Sequence, residues 1–144
     1  MSKYYKISKK YKLVRARAAV IEEGDLYVIG RYNSDGVYRY ELAGGKIDKK
    51  HKKPLKAAKN EPTEEFGRKT LVDCFLVSIK SPHSGIENRI FGAMWAKSKG
   101  KIKLQREEGF TTYRKINSSN YHKYKYNYST EKAIYWLLKN GYLR

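Results

Sequence analysis

From Lys12 to Glu23 apolar and polar residues alternate, placing Val14, Ala16, Ala18 and Val20 on one face, the two-residue period of a half-buried strand. Gly24-Asp25 turns the chain, and Leu26 to Arg31 reads as the hairpin partner. Asn33-Ser34-Asp35-Gly36 is a second turn, followed by a short strand from Val37 to Leu42. Gly44-Gly45 opens a lysine-rich loop. A helix is predicted over Pro54 to Phe66, with proline at its first position and Gly67 as its C-cap. Thr70 to Lys80, rich in Val, Leu, Ile and Phe, reads as a buried strand, and Arg89 to Lys97 as another, joined by Ser81 to Gly85. In the last helix Ser129 or Thr130 is the N-cap, Ile134, Leu137 and Leu138 form one stripe, and Gly141 follows the end. Strands flanked by a central and a C-terminal helix predict an α/β (α+β) fold, a mixed sheet sandwiched between helices. No repeat or linker divides the chain, so residues 1–144 read as one domain, with 1–12 a basic N-terminal extension that could add a strand.

Composition narrows the function classes. The chain has 144 residues, and 32 Lys plus Arg against 14 Asp plus Glu give a net charge of +18. At 40% apolar it has too much hydrophobic content for a disordered chain. No run approaches the roughly 20 apolar residues that a membrane-spanning helix needs. The first residues carry no apolar stretch of the secretory kind, and a lone Cys74 excludes an internal disulfide or a cysteine-built zinc site. These features predict a soluble, cytoplasmic protein with no membrane partner. Cys74, in an apolar strand, is expected to be a core residue. His51, His83 and His122 are scattered without metal-ligand spacing and are expected to be exposed.

The charge favours polyanions. Residues 1–12 and the stretch 120–128 interleave Lys with Tyr, a pattern that could pair phosphate contacts with stacking on unpaired bases of RNA. AT-rich codons would enrich Lys, Tyr and Asn equally well, so the pattern does not choose a partner.

Against this basic background Glu61, Glu64 and Glu65 stand out. At i, i+3 and i+4 they share a helix face. Two carboxylates about 4 Å apart repel by roughly 4 kcal/mol at an effective dielectric of 20, so the cluster needs a cation, solvent or a raised pKa. A hard divalent ion, Mg²⁺ or Mn²⁺, suits such oxygen ligands, and a solvated acidic face paired with lysines is the alternative. Pro62 lies within the cluster and conflicts with a regular helix. A helix restarting at Glu61 under an Asn60 cap, or a kinked helix, would accommodate it.

Gly44-Gly45-Lys46-Ile47-Asp48 followed by Glu61-Pro62-Thr63-Glu64-Glu65-Phe66-Gly67 resembles the Nudix box, G-x5-E-x7-R-E-U-x-E-E-x-G-U with U aliphatic. The upstream segments Arg15 to Ile21 and Tyr40 to Gly45, and the C-terminal helix, also look like the Nudix (MutT-like) hydrolase family. Gly45, Glu61, Glu64, Glu65 and Gly67 fit the motif. His51 stands at the position of the first Glu, one extra residue precedes Glu61, Lys59 or Asn60 replaces the arginine, and Pro62 and Arg68 occupy aliphatic positions.

The resemblance implies an α/β/α sandwich and a Mg²⁺- or Mn²⁺-dependent hydrolase that cleaves a diphosphate bond in a nucleoside diphosphate linked to a further group. It implies Glu64 and Glu65 as metal ligands, Glu61 as a further ligand or base, and Gly45 as a carbonyl ligand. Glu107 and Glu108 are placed to supply a late carboxylate, as metal ligand and catalytic base respectively, or are a surface acidic pair. Lys46, with Arg15 and Arg17, is the expected contact for substrate phosphate, and seven lysines between Lys46 and Lys59 would help neutralise it. The alternative is a Nudix-fold module, weakly catalytic or not, that binds RNA or another polyanion, or an enzyme acting on RNA 5′ ends.

Overall fold

The computed structural model describes residues 13–46, 54–82, 85–97 and 100–144. The predicted N-terminal extension, His51 and His83 lie outside the described residues, as do the side chains of Lys46 and of the lysines that follow it up to Lys59. The elements are β1 (Leu13–Glu22), β2 (Asp25–Tyr32), β3 (Tyr38–Glu41), β4 (Ala43–Lys46), α1 (Pro54–Phe66), β5 (Thr70–Ser81), β6 (Ile86–Trp95), β7 (Thr112–Ile116) and α2 (Tyr128–Lys139).

Among the described residues the seven strands form one sheet, ordered β3-β2-β1-β6-β5, with β4 on β1 and β7 on β2. Of these strand pairs β1 and β6 run parallel and the others antiparallel, so the sheet is mixed, as predicted. Strand alternation sorts side chains to two faces. Ala18, Val20, Tyr27 and Ile29 pack with Phe66 of α1, Trp95 and Phe110. Their neighbours Ala19, Leu26 and Val28 pack on the other face with Ala133, Ile134 and Leu137 of α2. The helices therefore cover opposite faces, which is the α/β/α sandwich.

One edge of β1 is shared. Arg15 to Ala18 pair with β4, whereas Val20 to Glu22 pair with β2, and β6 occupies the opposite edge. The chain steps from β3 to β4 at Leu42, inside this split. Off the ladder, Leu42 still has both backbone groups satisfied: its carbonyl accepts from the Arg17 guanidinium at 2.9 Å and its N–H donates to the Thr130 hydroxyl at 2.9 Å.

Several expectations are corrected. Gly44-Gly45 does not open a loop but continues as β4, paired with Arg17 and Ala16. Helix α1 is neither interrupted nor restarted at Glu61; it is continuous through a buried Pro62. Its last turn is tied down instead, since the Glu65 and Phe66 carbonyls accept the N–H groups of Gln105 and Lys103 at 2.9 and 2.7 Å. These contacts, with Phe66 fully buried between Tyr27 and Trp95, offset the hydrogen bond that proline forfeits. Strand β5 is not buried; it is an edge strand with two register shifts, Leu71 is 45% exposed, and Cys74 is exposed rather than in the core.

The cap of α2 also differs. Asn127, not Ser129 or Thr130, is the N-cap, and its side-chain carbonyl accepts from the Thr130 N–H. Both predicted caps are buried, with Thr130 fixing Leu42. Asn127→Ala is therefore expected to cost about 1 kcal/mol in urea unfolding. A larger loss from Ser129→Gly than from Asn127→Ala would contradict this assignment.

Candidate active site

Helix α1 turns Pro62, Glu65 and Phe66 inward, and Glu65 is the acidic residue that meets the sheet split. Glu65, 4% exposed, reaches β4, where its Oε1 accepts the Gly44 N–H. Burial pushes this carboxyl up to about 8; Gly44 and Arg17 act against the rise, and Glu41 and Glu61 add to it. Glu61 is half-buried within Coulombic range of Glu65, whereas Glu64, one turn on, is exposed. Gly45 sits beside Gly44 in β4, opposite Ala16.

Among the described residues, the cation that acts on the Glu65 carboxyl is committed elsewhere. Arg17, 3% exposed, donates to Asn88 Oδ1 at 3.1 Å and to the Leu42 carbonyl, with Glu41 at 3.5 Å. Glu41, equally buried, is gripped by Arg31 through Nε at 3.3 Å and Nη2 at 3.1 Å. Arg31 lies over the Phe110 ring and donates from Nη1 to the Glu108 carbonyl at 3.1 Å. Arg17, expected at substrate phosphate, thus closes the sheet split. Arg15 is half-buried, and its Nε finds no hydrogen-bond partner among the described residues. Burial first, and then the Arg17 charge, hold its pKa below the usual arginine range. Lys46 falls opposite Arg15 in the β1–β4 ladder.

Glu107 and Glu108 lie on an exposed single turn of 3-10 helix, Arg106–Glu108. Arg31 anchors this turn by its backbone, and the Gln105 N–H, immediately before it, is tied to the Glu65 carbonyl. Among the described residues no three His, Cys, Asp or Glu side chains are gathered closely enough to hold a metal ion. What is gathered is Glu65 with Glu61 and the Gly44-Gly45 backbone.

The chemistry of these donors fits a hard divalent cation. All are oxygens, and burial disfavours the ionised form of the Glu65 carboxyl, which a divalent ion bound there would stabilise. Arg68, at an aliphatic motif position, lies with its guanidinium 4.5 Å from the Trp95 ring centroid, covering apolar surface with its flat face.

Sequence reasoning missed the Arg17–Glu41–Arg31 chain. Its signal was a glutamate and two arginines at strand positions whose neighbours are apolar, where charge survives only when paired.

No family model matches the sequence, and no curated protein matches it. Solved structures do match the fold. A Nudix hydrolase from Nitrosomonas europaea superposes with a TM-score of 0.68 at 12% identity, over 85% of this chain and 86% of that one. An ADP-ribose pyrophosphatase from Streptococcus suis gives 0.68 at 12% identity, over 90% of this chain and 91% of its own. A UDP-X diphosphatase gives 0.68 at 16% identity, over 90% of this chain and 63% of its own. At these identities the likeness concerns architecture, and it is the architecture that the motif resemblance implies: the chain has a Nudix, MutT-like fold.

Proposed function

We propose that this protein is a Nudix-type hydrolase of a phosphoric anhydride bond, acting on a nucleoside diphosphate linked to a further group, with Mg²⁺ or Mn²⁺ as cofactor. The observation that carries this reading is Glu65, buried on the last turn of α1 and fastened to the Gly44 N–H. That bond joins the last turn of α1 to the Gly44-Gly45 strand, which supports reading Glu61 and Glu64 as its companions. Similar architectures include a pyrophosphatase and a diphosphatase whose named substrates are of this class.

Glu61, Glu64, Glu65 and the Gly45 carbonyl would hold the ion, with Glu107 completing the set. An ion bound there would supply positive charge to the diphosphate oxygens and would favour ionisation of water. The chain's residues do the rest. Glu61 or Glu108 accepts a proton from the attacking water. The water oxygen bonds to phosphorus while the bridging P–O bond breaks, and the leaving phosphate takes the displaced electron pair. Arg15 and Lys46 steady the substrate phosphates. Arg17 and Arg31 hold the β3–β4 step and the Glu108 turn in place, which makes them positioning residues.

The test is product release from ADP-ribose, UDP-sugars and nucleoside triphosphates with Mg²⁺ or Mn²⁺. Glu64→Gln is expected to lower kcat by about 100-fold or more with little change in KM. Equal background release by wild type and Glu64→Gln overturns the proposal.

A further inference from the structure

A pocket between residues 121–126 and α2 shares no residue with the carboxylate site or with the Arg17–Glu41–Arg31 chain. Its volume is about 310 Å³, at the low end of the roughly 300–1,000 Å³ range of small-molecule sites. The stretch that interleaves Lys with Tyr is sorted here: Tyr121, Tyr124 and Tyr126 line the pocket, whereas Lys123 and Lys125 are exposed and do not. Glu131 and Tyr135, one turn apart on α2, complete the wall, with His122 beside them. Hydrogen bonds hold this frame. The Tyr126 hydroxyl donates to the Tyr121 carbonyl at 2.6 Å, and the Tyr40 N–H of β3 donates to the Lys125 carbonyl at 2.8 Å. Tyr121 meets Tyr135 edge-on, with ring centroids 6.3 Å apart and planes at 87°.

Although the chain carries 32 Lys plus Arg, none of the described ones lines this pocket, and Glu131 is the carboxylate that does. The faces of its rings attract cations. Arg114 lies 6.0 Å from the Tyr124 centroid and Lys132 lies 5.7 Å from the Tyr135 centroid, but neither belongs to the lining. Burial first, then Tyr124, Tyr40 and Glu131, push the Tyr126 phenol above the ordinary tyrosine range, so it stays neutral. An anion would meet ring faces and a carboxylate, and an uncharged group would gain nothing from Glu131. A bare alkali ion would lose water that ring faces replace poorly, whereas a methylated ammonium spreads its charge over apolar methyl groups.

We infer that this pocket binds a methylated ammonium ion, its methyl groups against Tyr121, Tyr124, Tyr126 and Tyr135 and its charge facing Glu131. A free small molecule and a methylated lysine side chain present the same head group, and relative affinity separates them. Binding here involves no metal and no hydrolytic step, so its failure and the failure of the hydrolase reading are separate results.

Chemical-shift titration of the full chain in EDTA would compare choline, ammonium and dimethylbutanol, the uncharged analogue in which carbon replaces the choline nitrogen. Choline is expected to bind about 10-fold or more tightly than either of the others. Tyr135 is 46% exposed, so its truncation leaves the core intact. Tyr135→Ala is expected to weaken choline about 10-fold, and Tyr135→Phe to stay within about 2-fold of wild type. Glu131→Gln weakens choline and leaves dimethylbutanol unchanged. Tighter binding of acetyl-trimethyl-lysine amide than of choline assigns the pocket to a methylated side chain; equal or weaker binding assigns it to a free small ammonium. Dimethylbutanol binding as tightly as choline, wild-type choline affinity in Tyr135→Ala, or no shift at about 10 mM choline overturns the proposal.

Discussion

Gly44→Ala is expected to lose about 3 kcal/mol or more of folding stability together with hydrolytic activity, whereas Gly45→Ala keeps wild-type stability within about 0.5 kcal/mol. The two glycines are adjacent in β4, and only the backbone separates them. Gly44 has φ +133°, a region that L side chains rarely adopt. A Cβ there would stand 2.2 Å from the Ala16 carbonyl oxygen and 2.7 Å from the Arg17 Cα, both backbone atoms of β1 that cannot step aside. Relief requires β4 to leave β1, and that movement withdraws the Gly44 N–H from Glu65. Gly45 has open space at its Cβ position. Urea unfolding with a phosphate-release assay checks both variants. Equal behaviour of Gly44→Ala and Gly45→Ala would show that the β4 geometry does not govern the site.

This contrast marks how far the sequence could be read. Alternation in β1 and β2 exposed the two faces because a half-buried strand must alternate, and the i, i+3, i+4 spacing of Glu61, Glu64 and Glu65 exposed the acidic helix face. Pattern gives Gly45 as the motif glycine, yet the φ that demands glycine is at Gly44, a property of how β4 crosses Ala16. Strand β5 read as buried because hydrophobic composition says nothing about sheet order; only pairing shows that it is an edge. The short polar strand β7 carried no apolar period and was not predicted at all. Arg17 looked like a free phosphate contact because one-dimensional pattern cannot show that a split sheet leaves the Leu42 carbonyl in need of a donor. Gly67 was legible: its φ of +63° and its close approach to the Lys103 carbonyl match the C-cap predicted for α1.

The metal-free protein is expected to lose stability as pH rises from about 5 to about 8, and Glu65→Gln to remove that loss. The sign follows from the proton. Glu65 has an ordinary value of 4.5 and is pushed up to about 8 in the fold. Between those values the folded chain keeps a proton that the unfolded chain releases, so the unfolded state gains as pH rises. Above about 8 both states are ionised and the curve flattens. The full gap corresponds to on the order of 3–5 kcal/mol, and the opposing pull of the Gly44 N–H and Arg17 is already contained in it. Glutamine can still accept the Gly44 N–H with its side-chain carbonyl, so its thermal midpoint in EDTA should be nearly level from pH 5 to 8 and exceed wild type at pH 8. A divalent ion reverses the order for wild type, because binding at Glu65 requires the proton to leave. Saturating Mg²⁺ should therefore raise the wild-type midpoint, with an apparent affinity that tightens from pH 6 to pH 8, and should leave Glu65→Gln almost unmoved. Parallel melting curves for the two proteins at every pH, with and without Mg²⁺, would mean that the buried carboxyl neither titrates in this window nor holds the ion.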